Sequence, residues 1–155
     1  MTNEEIEKNL YLELFPLLKG NTDATVLCID LMNICQIWDD LIDRDKEYTD
    51  NDINKAFQTL LFRLPLNKFY DRHQDELRPV IMNAVLKWFD SNKMEEEGKT
   101  EDLHMTYMLR AEIYSIFCYI AFLVGGLEHA KEVGVSIRRI YNEKLDDFIE
   151  EIQNA

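Results

Sequence analysis

Residues 26–43 read VLCIDLMNICQIWDDLID, and this stretch decides the fold class. On a helix, with about 100° between successive residues, its apolar side chains cover more than half of the circumference: Val26, Leu27, Leu31, Ile34, Cys35, Ile37, Trp38, Leu41 and Ile42. A helix with so wide an apolar surface is typical of the centre of a bundle. The stretch therefore predicts an all-α fold built around one well-buried helix.

The rest of the chain shows the same periodicity. Its 155 residues contain only five glycines and three prolines, and no strand pattern competes with the helical one. We predict a single domain over residues 1–155, a bundle of about six to seven antiparallel helices. The expected helices are residues 3–20, 22–45, 49–65, 66–94 with a break at Pro79, 100–124, a short one to 133 and a last one from 134, with an exposed loop at 91–100. At the start of the third helix, Thr49 and Asp52 have the spacing of an acidic variant of a capping box.

The composition excludes several classes of function. A formal net charge of -13 repels phosphate backbones, so nucleic-acid binding is not expected, whereas divalent cations would be attracted. Three cysteines within apolar segments and a mostly polar N-terminus predict a cytoplasmic protein without a signal peptide. The longest apolar stretch, 113–127, falls short of the roughly 18 residues of a membrane span. It predicts a buried core helix.

Polar residues of the central helix gather on its remaining narrow stripe. Asn33, Gln36, Asp39, Asp40 and Asp43 lie there, and the acids occupy the last two turns. The helix dipole disfavours anions at that end, so a compensating positive charge is expected. Asp39 and Asp43 are one turn apart and could share a Mg²⁺ ion. Neutralisation by Arg44, Lys46 or an arginine of another helix is the alternative.

Residues 37–43, IWDDLID, resemble the aromatic-then-acidic DDxxD motif of class I terpene synthases, which have the isoprenoid synthase-like fold. The resemblance implies that Asp39, Asp40 and Asp43 hold Mg²⁺ ions that bind the diphosphate of an isoprenoid-like ligand. It also implies that Trp38 and Gln36 line the ligand pocket.

A later segment, Tyr107-Met108-Leu109-Arg110, is similar to the tyrosine and arginine that sense the diphosphate in that family. The resemblance implies that Arg110 binds phosphate and that Tyr107, Tyr114 and Phe117 line the pocket. Arg110 projects onto an apolar stripe and therefore needs an anionic partner. A salt bridge to Asp39, Asp43 or Glu112 would serve as well as phosphate, and the aromatic residues have the spacing of ordinary core.

The second metal motif of the family has a weaker counterpart in Asn142, Asp146 and Glu150, which reproduce its spacing. These residues project almost opposite to the apolar face of the last helix, so a solvated surface is the competing interpretation. Glu143, Asp147 and Glu151 lie nearer to the apolar boundary and form an alternative set.

The resemblance covers residues 22–150 and lacks the family's downstream Arg-Tyr pair. A shortened bundle would need a second subunit, as in a homodimer, to close a water-free pocket. Three functions follow: Mg²⁺-dependent binding or turnover of a diphosphate ligand, a non-catalytic interaction or inhibitor protein, and a helical nucleotide pyrophosphohydrolase. No catalytic residue is assigned.

Overall fold

Helices provide all regular secondary structure in residues 3–44 and 46–154, the part of the chain that the computed structural model describes. The all-α prediction is therefore confirmed. In chain order the elements are α1 (Asn3–Leu17), α2 (Thr22–Asp43), α3 (Asp50–Gln58), a π-helix (Thr59–Arg63), α4 (Leu64–Leu66), α5 (Lys68–Glu97), a 3-10 turn (Thr100–Asp102), α6 (Leu103–Arg110), α7 (Ile113–Arg138) and α8 (Leu145–Asn154).

The chain forms two compact units. The first extends to Gln74 and includes Leu123–Gly125, and the second comprises Asp75–Phe122 and the residues from Gly126 onward. The boundary within α5 lies beside His73, whose φ of -116° and ψ of 18° interrupt the helix. The expected break at Pro79 is thus found six residues earlier. The single-domain organisation stays a prediction.

The first unit is built on the packing of α1 against α2. Gly20, with a φ of 70°, allows the chain to turn after α1. Asn21 then caps α2, because its side-chain oxygen accepts a hydrogen bond of 2.9 Å from the Ala24 amide. Fully buried side chains of this helix pair include Leu14, Leu18, Ala24, Leu27 and Cys28.

Burial differs between the two halves of α2. Its buried residues all lie between Ala24 and Leu31, whereas Trp38, Leu41 and Ile42 are exposed. The prediction of a well-buried central helix is therefore wrong for the second half. The apolar periodicity of a sequence indicates which sides of a helix can be buried. It does not indicate which turns along the helix other elements cover.

The helical segment after α2 begins at the predicted capping box and ends one residue later than predicted. Thr49 and Asp52 form a reciprocal capping box at the start of α3. The helical path passes through the π-helix and ends at Leu66, one residue after the predicted stop at Pro65. Pro65 lies in the first turn of α4, where a missing amide hydrogen is tolerated.

Helix boundaries in the second unit differ from the predicted ones. Residues 91–97 belong to α5, so the expected loop at 91–100 shrinks to Gly98 and Lys99 before the 3-10 turn. Helix α7 passes through Gly134, where a new helix was expected, and α8 starts only at Leu145. The core of this unit includes Leu77, Ile116, Phe117, Ile120, Ile137 and Phe148.

One helical run, Thr100–Arg138, is long and apolar enough to cross a membrane by length and composition alone, and an 18-residue window within it has a mean hydropathy of 1.5. Only 22% of its apolar window is buried, so the predicted core helix is buried on one face only. The run is interrupted after Arg110 and again at Gly126. Residues 113–125 between these points span roughly 20 Å, less than the roughly 30 Å of a hydrocarbon core. That the chain has no membrane span stays a prediction.

Candidate functional site

The predicted metal ligands Asp39, Asp40 and Asp43 lie in the first unit, in the last turns of α2. Asp40 accepts a hydrogen bond from the hydroxyl of Tyr48. Burial, together with that carboxylate, raises the pKa of Tyr48 far above its ordinary value, so the phenol stays protonated as a donor. Asp39 and Asp43 also have interaction partners. At least part of the acidic row is therefore engaged within the chain.

Among the described residues, no group of three or more His, Cys, Asp or Glu side chains is arranged to hold a metal ion. Asp43 is exposed, whereas Asp39 and Asp40 are half-buried. The two residues expected to line a pocket beside these acids, Trp38 and Gln36, are both exposed. This end of α2 is an open surface, and Mg²⁺ binding by its carboxylates stays a prediction.

Arg110, the predicted phosphate ligand, lies in the second unit at the end of α6 and has partners there. Its guanidinium donates a hydrogen bond of 3.1 Å to Glu95 and lies 4.0 Å from the carboxylate of Glu143. The guanidinium carbon is also 5.0 Å from the centroid of the Phe148 ring. The expected need for an anion is thus met by two glutamates, which differ from the candidates Asp39, Asp43 and Glu112.

Aromatic residues pack around Arg110. The ring of Tyr107 lies 5.6 Å from Tyr141 and 5.7 Å from Phe148, measured between centroids, and its hydroxyl donates a 2.6 Å hydrogen bond to the Glu143 carbonyl. The Tyr141 hydroxyl bonds the Glu143 carboxylate. Burial and this carboxylate raise the pKa of Tyr141 far above its ordinary value. We call Glu95, Tyr107, Arg110, Tyr141, Glu143 and Phe148 the Arg110 cluster.

The other predicted pocket residues of the second unit are part of its packing. Phe117 is fully buried, and Tyr114 contacts it edge-on at 5.6 Å between ring centroids. Tyr114 also lies 5.5 Å from Tyr141. These contacts favour the alternative interpretation from the sequence, that aromatic residues at helical spacing are ordinary core.

The weaker metal set is spread along an exposed surface. Asn142 lies outside α8, in the segment before it, and Asp146 and Glu150 lie within the helix. All three are exposed, as the competing interpretation requires. From the alternative set, Glu143 is the residue that makes specific contacts, but it binds Arg110 and Tyr141.

An ion pair between a buried aspartate and an exposed arginine of the first unit was missed from the sequence. Asp30 is 4% exposed and lies 3.0 Å from the guanidinium of Arg63, with a second contact of 3.4 Å to Nε. Burial raises the pKa of Asp30, and Arg63 opposes that effect. This ion pair connects the π-helix, through Arg63, to Asp30 in the middle of α2. Its signal was an acid inside the apolar run Cys28-Ile29-Asp30-Leu31.

Near this pair the first unit has an open groove of about 300 Å³. Its charged residues are of both signs, and none of the predicted site residues lines it. The lining residues are Glu4, Glu7, Lys8, Tyr11, Val26, Ile29 and Arg63. A mixed, open lining of this kind does not favour a particular ligand.

Several large apolar side chains are exposed in the helical segment after Thr49. Five large apolar side chains there have exposed fractions between 46% and 78%, and we call them the apolar strip: Phe57, Leu60, Leu61, Phe62 and Leu66. They extend from the end of α3 through the π-helix to α4. A helix that is apolar on several sides is normally buried. In the residues that the structure describes, Leu64 is the buried member of the run 57–66.

Helix α2 contacts both α3 and the π-helix. Its exposed residues Trp38, Leu41 and Ile42 therefore belong to an element next to the apolar strip. Phe57 and Leu61 are four residues apart, as are Phe62 and Leu66, so each pair lies about one helical turn apart. Helical periodicity predicted residues 49–65 only as a helix ended by Pro65, so the strip was missed.

No family model, curated protein sequence or solved structure matches this chain. The resemblance to class I terpene synthases therefore stays a prediction that rests on its motifs alone.

Proposed function

We propose that this chain is a non-catalytic helical interaction protein that binds a protein partner through the apolar strip. The observation that carries this proposal is the exposure of Phe57, Leu61, Phe62 and Leu66, each between 58% and 78%. A concentration of large exposed apolar side chains in one short segment is a feature typical of interaction sites. The second of the three functions from the sequence analysis is the one that this surface favours.

The size of the exposed surface supports the same proposal. Five side chains at these exposures present on the order of 500 Å² of apolar area. A standard protein interface buries about 800 Å² on each partner. The apolar strip would supply the central part of such an interface, and polar residues around it would supply the rim.

The charged residues give less support to a small-molecule function. Arg110 already has two carboxylate partners, and Asp40 accepts a hydrogen bond from Tyr48. A charge that is compensated within the protein does not require a phosphate or a metal ion for its own neutralisation. The apolar strip lacks an equivalent compensation, because apolar surface is satisfied only by being covered.

Panning a displayed peptide library against the full chain tests the proposal. Selected peptides should lose at least tenfold in affinity for the double variant Leu61→Ser with Phe62→Ser. Leu12→Ser is the matched control, because Leu12 is 60% exposed in α1 of the same unit. It should leave the affinity unchanged.

Two results would overturn this proposal. One is a library that yields no binder, and the other is a set of binders that the double variant retains at full affinity. Circular dichroism and the melting temperature should match between the double variant and the parent chain, since both substituted residues are exposed.

Mg²⁺-dependent binding of a diphosphate is the second candidate function. The exposure of Asp43, one turn after Asp39, favours it, because carboxylate oxygens at that surface are accessible to a cation. Under the interaction proposal, Mg²⁺ with pyrophosphate should change the melting temperature by less than about 1 °C, since a ligand raises it only by binding the folded state. A larger rise that disappears in Asp39→Ala with Asp43→Ala would favour the diphosphate function instead.

A further inference from the structure

We infer that the ion pair between Asp30 and Arg63 is a lock on the hydrogen-bond register of the helical segment 59–66. While the pair is formed, the π-helix keeps Leu64 buried in the first unit. Without it, the segment takes α-helical register, and Leu64 joins the exposed apolar residues. The inference goes beyond the proposed function and does not rest on it, because it concerns the conformation of the segment and not the occupant of its surface.

The burial of Leu64 differs from that of the apolar residues that precede it on the same helical path. In an uninterrupted α-helix, positions i, i+3, i+4 and i+7 share one face. Four apolar residues of the segment have this spacing: Phe57, Leu60, Leu61 and Leu64. The first three are 60%, 46% and 64% exposed, whereas Leu64 is 9% exposed. The segment therefore does not present these residues as one stripe.

The π-helix accounts for this difference. The Leu64 amide donates to the carbonyl of Thr59, five residues earlier, whereas an α-helix would pair it with Leu60. A π turn contains about one residue more than an α turn, and one residue corresponds to about 100° of rotation. Leu64 is therefore rotated by about this angle away from the exposed apolar residues and toward the core.

The ion pair connects the end of the π-helix to a fixed point in α2. Arg63 is the last residue of the π-helix, and its guanidinium lies 3.0 Å and 3.4 Å from the two carboxylate oxygens of Asp30. Asp30 is 4% exposed, between the buried residues Ile29 and Leu31. Two-point contact between guanidinium and carboxylate is directional, so it restricts the angular position of Arg63 on its helix. A rotation that broke the contact would leave a buried carboxylate without its cation, which is unfavourable.

Long-range HNCO spectra of the isotope-labelled full chain test the inference, because they detect the coupling across each backbone hydrogen bond. In the parent chain, the Leu64 amide should correlate with the Thr59 carbonyl. In Arg63→Met, and in Arg63→Met with Asp30→Asn, it should correlate with the Leu60 carbonyl instead. The double variant contains no unpaired buried charge at this position, so its fold is expected to persist.

The exposure of Leu64 is the second readout. A neutral gadolinium chelate in solution enhances the relaxation of exposed methyl groups. The enhancement at the Leu64 methyls should rise at least threefold in both variants and approach that of Leu61, which is 64% exposed in the parent chain.

Two control variants separate the lock from a general loss of structure. Arg63→Lys keeps a positive charge opposite Asp30 and should retain the correlation between Leu64 and Thr59. Glu7→Gln removes the other charge that acts on Asp30 and leaves the ion pair in place, so it should retain the same correlation.

Several outcomes would overturn the inference. One is a correlation between Leu64 and Thr59 that persists in both Arg63→Met variants. Another is the loss of this correlation with none to Leu60, because the segment would then unravel instead of changing register. A correlation to Leu60 with Leu64 still protected from the chelate would show that the π turn has moved along the helix, which also contradicts the lock.

Pro65 provides the competing explanation for the π-helix, because its ring crowds the Leu61 carbonyl in a regular α-helix. Under the inference, Pro65→Ala should retain the parent register, since the ion pair is intact. A change of register in Pro65→Ala, with none in Arg63→Met, would assign the π-helix to the proline and overturn the lock.

Discussion

The Arg110 cluster and the apolar strip are two regions in which residues occur in an unusual environment. In the Arg110 cluster, a half-buried guanidinium is compensated by Glu95, Glu143 and the ring of Phe148. In the apolar strip, leucine and phenylalanine side chains are mostly exposed. In the Arg110 cluster, the charged groups have their partners within their own unit. In the apolar strip, the apolar side chains remain exposed.

The difference indicates where a partner would act. An ion pair that is satisfied inside the protein contributes to the structure of its unit, and a ligand would have to displace existing contacts to reach it. Covering exposed apolar surface with a complementary surface lowers the free energy. The comparison therefore predicts that substitutions in the Arg110 cluster change stability, and that substitutions in the strip change binding.

The largest expected effect on stability comes from Phe148→Ala. Phe148 is fully buried and contacts Tyr107 and Arg110, so its removal should cost about 3–5 kcal/mol of unfolding free energy. Phe62→Ala, at an exposed position of the strip, should cost no more than about 0.5 kcal/mol. Urea denaturation of both variants measures the contrast, and equal losses would break the comparison.

Arg110→Ala should have an intermediate effect. It would leave Glu95 and Glu143 half-buried without their cation, at a cost of about 1–3 kcal/mol. The matched control is Arg78→Ala, which removes an exposed arginine from α5 and should stay within about 0.5 kcal/mol. If the two variants unfold at the same urea concentration, the Arg110 cluster does not stabilise its unit.

Local signals in the sequence predicted the local structure well. The three-residue spacing of Thr49 and Asp52 predicted a capping box, and the hydrogen bonds are present. The need of Arg110 for an anion was also predicted from its apolar stripe. The partners were not, because Glu95 and Glu143 come from other parts of the chain. Helical periodicity specifies a face and contains no information about which distant residue will meet it.

The exposed strip could not be located from periodicity for the same reason. Residues 57–66 are apolar on several sides, which by itself predicts burial. Exposure depends on how the remaining helices pack, and the chain leaves this segment and the second half of α2 uncovered. The expected stop at Pro65 is met to within one residue, because the helical path ends at Leu66. The π-helix before it was not predicted, and there the Leu64 amide donates to the Thr59 carbonyl.

The smallest predicted effect is the pH dependence of stability that comes from Asp30. This residue forms an ion pair with Arg63 of the π-helix, next to the apolar strip in the first unit. Burial raises the pKa of Asp30 in the folded protein, so the folded state binds this proton more tightly than the unfolded state. Its contribution to stability is therefore greatest at pH below the unfolded pKa and is lost as pH rises through the folded pKa. The slope cannot exceed about 1.4 kcal/mol per pH unit for one proton.

Urea denaturation of the parent chain and of Asp30→Asn at pH values from 3.5 to 7 measures this contribution. The unfolding free energy of the parent minus that of the variant should decrease as pH rises. A difference that increases with pH would mean that attraction to Arg63 outweighs burial and lowers the pKa of Asp30.

Hydrogen–deuterium exchange of the full chain, with and without a peptide selected by panning of the displayed library, tests the central claim most directly. The apolar strip is predicted to be the docking surface, so amides of residues 57–66 should exchange more slowly in the complex. Amides of residues 103–110, beside the Arg110 cluster, should be unchanged. Protection at residues 103–110, with none at 57–66, would contradict the account.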